Sequence, residues 1–89
     1  MKYNLYAMRD SATREFLSVT VDKNDAAAIR NFDYAILNNP QLRFMPSDFS
    51  LYKLGFYDSD SGKIESIPPE VIRLGTESEV QYAVQDNIE

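Results

Sequence analysis

The pattern nearest to a metal site is Asp58-x-Asp60-x-Gly62 with Glu65 downstream. A calcium loop of the EF-hand type needs an oxygen ligand at its fifth position and a bidentate Glu at its twelfth. Those positions hold Gly62 and Pro69, so the segment reads as a hairpin turn and no metal site is expected. Carboxylates paired for acid/base work would be Asp58 with Asp60, or Glu77 with Glu79. Raising a carboxyl pKa takes burial or a forced like-charge contact, and both pairs sit in turn or tail contexts that water solvates. Ser11, Thr13, Ser18 and Ser47 supply hydroxyls, but the chain has no His to activate one and no Cys to act as a nucleophile or zinc ligand. Gly55, Gly62 and Gly75 are its only glycines and do not form a phosphate-cradling loop. No catalytic residue, cofactor or enzyme activity is expected.

The constructive signal is an interleaving of rings and cations. Lys2, Tyr6, Phe16, Lys53 and Tyr57 can lie on one sheet face, with Arg9 and Arg14 at its margin. Single-stranded nucleic acid needs rings on which bases stack and cations that meet phosphates. On this reading Lys2, Arg9, Arg14 and Lys53 contact phosphates, and Tyr6, Phe16 and Tyr57 stack on bases. The same rings also read as a dimer interface or a second small core, and the two readings can coexist.

These residues must be positioned by a small set of elements. Residues 2–8 and 15–22 alternate in the manner of strands, with polar residues 9–14 as a hairpin connection. The period then changes. Asn24 or Asp25 can cap a helix starting at Ala26, whose stripe is Ile29, Phe32 and Ile36 with Ala28 and Ala35 beside them. Asn38-Asn39-Pro40 ends it, because proline disfavours helical geometry in the residue before it. Residues 41–48 read as a connection and 49–57 as the strongest strand. Residues 58–62 read as a turn in which Gly62 takes positive φ, and 63–67 as a fourth strand closed by Pro68-Pro69. Residues 70–74 are a short edge strand or a helical turn.

The expected fold is α+β: a small antiparallel sheet of about four strands with one helix on a face, in the order ββαββ. Residues 1–75 form the domain, and 76–89 form an acidic tail, either a short helix or a mobile segment. With the simplest alternation, the helix covers one face, and the other carries Tyr6, Met8, Phe16, Leu51 and Tyr57. So many apolar groups on an open face call for a cover, whether a second subunit, the tail or a ligand with flat rings.

At 89 residues, 44% hydrophobic and 26% charged, the chain has room for one globular domain. A domain of this size buries only about two-thirds of the surface that its unfolded chain exposes. The formal charge of −5 argues against a general nucleic-acid coat or a binder of anionic membranes. The charge is uneven, however. Residues 1–55 hold seven basic against six acidic side chains, and residues 56–89 hold two against eight. The acidic tail reads either as a solubilising end or as a segment that competes with nucleic acid or recruits a partner. No apolar run reaches membrane-spanning length, the start lacks the apolar core of a signal peptide, and the lack of Cys suits a reducing cytoplasm.

Three stretches carry a resemblance: Met1 to Asp10 (MKYNLYAMRD), Lys23 to Phe32 (KNDAAAIRNF), and Phe49 to Asp58 (FSLYKLGFYD) followed by Ser61-Gly62-Lys63-Ile64. Over roughly residues 1–67 the chain resembles the small nonstructural protein of gokushoviruses and related Microviridae, tailless phages with single-stranded circular DNA. The resemblance implies a replication-stage accessory, often labelled DNA-binding, that acts in the cytoplasm of the infected bacterial host and is absent from the mature virion. It implies no enzyme and no cofactor, and it designates no binding residues. The expected partners are single-stranded DNA, a second copy in a homodimer, and a phage replication or capsid-assembly protein, with no membrane. The alternative is a protein adaptor or scaffold-like subunit that docks on that machinery without touching DNA.

Overall fold

The computed structural model describes residues 1–78; the expected tail lies outside the described residues from position 79 on. The elements are β1 (Lys2–Asp10), β2 (Glu15–Asp22), α1 (Asp25–Asn38), α2 (Pro40–Phe44), β3 (Phe49–Asp58) and β4 (Ile64–Leu74). The strands pair antiparallel in one sheet ordered β2-β1-β3-β4. Helix α1 packs on one face of it, giving the ββαββ α+β fold that the sequence implies.

Local chemistry sets the boundaries. The Asn24 side chain accepts from the Ala27 N–H at 2.9 Å and caps α1. Asn39 repeats the device, accepting from the Gln41 N–H at 3.0 Å, while Pro40 fills the first position of α2. Pro40 therefore ends one helix and starts another, where the sequence reads as a plain connection. Strand β4 also runs further than expected, straight through Pro68-Pro69. As an edge strand it loses little from two missing N–H donors. Its pairing is broken at that point: Lys53 faces Glu70 and Gly55 faces Ser66, so Leu54 alone stands opposite residues 67–69.

Gly55 is required where this interruption ends. A Cβ built there would lie 2.0 Å from the Glu65 carbonyl oxygen. That atom is backbone held in the ladder, and it cannot step aside cheaply. Gly55→Ala should therefore destabilise the fold by about 2–3 kcal/mol, the upper part of the overpacking range. A urea midpoint within error of the parent would overturn this.

The core consists of Tyr6, Ala28, Phe32, Ile36 and Leu51, all buried, with Met8, Ile29, Leu42, Phe49 and Ile72 packed around them. Here the structure corrects the simple alternation. Tyr6, Met8 and Leu51 lie under α1, whereas Phe16 and Tyr57 lie on the opposite, uncovered face. The reason is two bulges. In β2 an extra residue falls between the partners of Tyr6 and Met8, with Ser18 at φ 54°. In β3 the extra residue is Leu54, between the partners of Leu5 and Tyr6. Each bulge inverts the face of everything beyond it.

Candidate functional site

Directly paired residues on antiparallel strands share a face, so the register lists the uncovered face. Strand β1 contributes Tyr3, Leu5, Ala7 and Arg9; β3 contributes Tyr52, Gly55 and Tyr57 opposite the first three. Strand β2 adds Phe16 opposite Arg9 and Val21 opposite Leu5. Strand β4 adds Val71 and Ile64 opposite Tyr52 and Tyr57.

Two ring clusters result. At one end the Arg9 guanidinium lies 4.7 Å from the Phe16 ring centroid, and Phe16 meets Tyr52 edge-on at 5.3 Å. This cation–ring–ring array holds two planar surfaces at right angles. At the other end Tyr3 faces Tyr57 across the β1–β3 pair. Four residues along β1 separate the two ends, about 13 Å at 3.3 Å per residue. Between them Leu5 stands opposite Gly55, which has no side chain, and opposite Val21 on the other flank.

The strand carboxylates lie on one face, together with Lys2, Lys53 and Arg73. Asp10, Glu15, Asp22, Asp58, Glu65 and Glu70 all share register with residues on the side that carries α1. Among the register-paired residues of the uncovered face there is no carboxylate, and Arg9 is the charged group. These strand carboxylates are therefore turned away from the rings.

The seven residues expected to bind nucleic acid divide in the same way. Arg9, Phe16 and Tyr57 lie on the uncovered face. Arg14 sits in the adjoining hairpin at φ 63°, its carbonyl accepting from Arg9 Nη1 at 3.1 Å. Lys2, Tyr6 and Lys53 are on the α1 side. Lys2 lies 5.9 Å from the Phe56 ring. Tyr6 is fully buried, its hydroxyl donating to Asp25 at 2.6 Å, and Lys53 pairs with the same carboxylate at 3.0 Å. The Tyr6 hydroxyl and the Lys53 ammonium hold the Asp25 carboxyl below its usual range, the hydroxyl bond contributing most. Burial, then the bond to Asp25, raises the Tyr6 phenol above its ordinary value.

Sequence reasoning missed Tyr3 and Tyr52 as members of the ring face. Tyr52 and Tyr57 are five residues apart and fall on opposite faces unless a bulge intervenes. Gly55 within a strand was the available signal, since such a glycine often marks one.

The turn 58–62 is a hairpin connection. Gly62 adopts φ 76° and donates to the Asp58 carbonyl at 2.7 Å. Asp58 accepts from the Asp60 N–H at 2.9 Å, which holds its carboxyl below the usual range, and both carboxylates meet the amino group of Met1. Among the described residues no group of three or more acidic, His or Cys side chains could hold a metal ion. Nor is any helix among them long and apolar enough to cross a membrane.

The family described as phage ORF5 protein matches residues 3–79. The chain belongs to that family. Comparisons with curated proteins and with solved structures gave no match. The matched stretch of this phage ORF5 protein takes in all of α1, β2, β3 and β4 and all but the first residue of β1. Both ring clusters of the uncovered face fall inside it, and of the seven expected binding residues Lys2 alone falls outside.

Proposed function

We propose that this phage protein binds single-stranded DNA during viral genome replication or packaging, using the uncovered face of its sheet. The observation that carries the reading is the make-up of the uncovered face: it holds the rings and Arg9, while the strand carboxylates lie on the other face. A net charge of −5 then opposes binding less on this face than the composition suggests, because phosphates approaching the rings meet Arg9 and Arg14 first. Bases stack on Phe16 and Tyr52 at one end and on Tyr3 and Tyr57 at the other, where ring contact tolerates any sequence. On this reading the protein is nonstructural, acts in the cytoplasm of a bacterium infected by a gokushovirus or a related member of the Microviridae, and stays out of the mature virion. A second copy closing over the same apolar face gives the resting homodimer.

The test is a titration of fluorescent single-stranded DNA at two salt concentrations, with mass by light scattering in the same samples. Phe16→Ala combined with Tyr52→Ala should weaken binding at least tenfold, since each stacked base contributes about 1–3 kcal/mol. Arg9→Ala should reduce the salt slope by about one. Tyr34→Ala, a change at a ring 69% exposed on α1, should leave affinity unchanged. Equal binding by the double variant, or none at low salt, overturns the reading.

The acidity of residues 56–89 favours a second reading, a protein adaptor that docks on a basic part of the replication or assembly machinery. It predicts capture of a phage protein that survives loss of the rings and fails on deletion of residues 77–89.

A further inference from the structure

The α1 side of the sheet is only partly covered. The sheet side chains buried beneath α1 come from β1 and β3, while β2 is exposed along nearly its whole length. Between β2 and α1 runs a groove of about 280 Å³. Its composition is unlike that of a core gap. The floor is apolar: Met8, Phe32 and Leu51. The α1 wall is low at Ala28 and Ala35, with Asn31 and Phe32 between them. The opposite wall is a polar row, Ser18, Thr20 and Asp22, alternate positions of the edge strand. Asn31 donates to Asp22 across the groove at 3.2 Å, and a carboxylate accepts more than one such bond.

We infer that this groove is a binding slot for a single unpaired nucleobase. The lining decides among possible occupants. An apolar side chain from another protein would cover the Ser18 and Thr20 hydroxyls without partners and leave Asp22 with its Asn31 bond alone, a cost that its own burial does not offset. Among the described residues lining the groove there is no Lys or Arg, so a phosphate or another anion would meet Asp22 unopposed. The volume lies just below the range of drug-sized sites. The occupant that fits is neutral, flat and apolar on its faces, with N–H donors along one edge. Its faces lie on Phe32 and Leu51, between the alanines and the strand, and its edge donates to Asp22. Bases with an exocyclic amino group present that edge; thymine, with a single ring N–H between two carbonyls, presents it poorly.

The nucleic-acid reading above suggests the ligand class, but the slot is separate from the ring face. It can be tested with nucleosides, which carry no phosphate and so make no use of Arg9 or Arg14. Deoxycytidine and deoxyadenosine, titrated into the full chain and followed by backbone amide NMR, should shift Thr20, Asp22, Asn31 and Ala35. Thymidine should bind at least about five times more weakly. Asp22→Asn should remove that preference, and Ala35→Leu should abolish binding by filling the slot. In both, an unchanged amide spectrum elsewhere confirms folding. Absence of these shifts at millimolar nucleoside, equal binding of thymidine, or binding by Ala35→Leu overturns the slot. Salt-dependent binding of long oligonucleotides would stand or fall separately, through Phe16 and Tyr52.

Discussion

Replacing Asp33 with Ala should destabilise the domain by about 3–5 kcal/mol, the cost of removing one partner from a buried ion pair. The Asp33 side chain is 5% exposed, and the Arg73 guanidinium grips it with two parallel bonds, Nε to Oδ1 at 3.0 Å and Nη2 to Oδ2 at 2.8 Å. The Ser78 hydroxyl, itself buried, donates to Oδ1 as well. One carboxylate thus joins α1, edge strand β4 and the helical residues 75–78. Without it Arg73, 15% exposed, keeps a contact to Glu77 at 3.6 Å, which is a weaker substitute at half-exposed geometry. For so small a domain this loss approaches the whole folding free energy. Asp33→Asn, which keeps the shape and one acceptor, should fall between parent and Asp33→Ala. Urea unfolding at pH 7 measures both, and a loss below about 1 kcal/mol for Asp33→Ala would show that the network is ornamental.

The helix stripe read from sequence contains Phe32 and Ile36, and the structure buries both. It gives no hint that Asp33 between them is buried too, because the partner that permits this lies 40 residues away. Periodicity reports what water dislikes; it does not report a charge neutralised by a distant strand. The strands show a related limit. Strands β1, β2 and β3 were legible as alternating runs marked by β-branched and aromatic content, while β4 was legible over residues 63–67 alone, because Pro68-Pro69 reads as its end. Which face each residue takes was not, because apolar groups occupy both parities of β1: Tyr3, Leu5 and Ala7 on one, Tyr6 and Met8 on the other. With two apolar faces the alternation no longer says which one the helix covers. The bulges at Ser18 and Leu54 then uncouple the two halves of β2 and β3. The candidate site was therefore legible as residue types, rings beside cations, while its membership was decided by bulges that only Gly55 foreshadowed.

Tyr6 turns that difference into a measurement. A ring that stacks on DNA and a ring that holds the core respond oppositely to mutation. Tyr6 is fully buried against α1, and its hydroxyl bonds to Asp25. Tyr6→Ala should cost about 3–5 kcal/mol, the usual range for removing a core aromatic, and any loss of DNA binding would then follow from unfolding. Tyr6→Leu separates the two roles, since it keeps much of the apolar volume and removes the ring. It should be destabilised yet folded, and it should bind single-stranded DNA as the parent does; a tenfold loss in the folded variant would place Tyr6 at the DNA after all. Tyr6→Phe isolates the hydroxyl, with an expected cost of about 1 kcal/mol at neutral pH. That cost depends on pH with a definite sign. The hydroxyl bond depresses the Asp25 pKa, so its stabilisation is fully present above the unfolded carboxyl value of about 3.9 and is lost as pH falls through the lower, folded value. The stability gap between parent and Tyr6→Phe should therefore close in acid. A gap that stays constant to pH 2 would mean that Tyr6 acts through packing alone, and that Asp25 is held at the head of α1 by Lys53 and Asn4 without it.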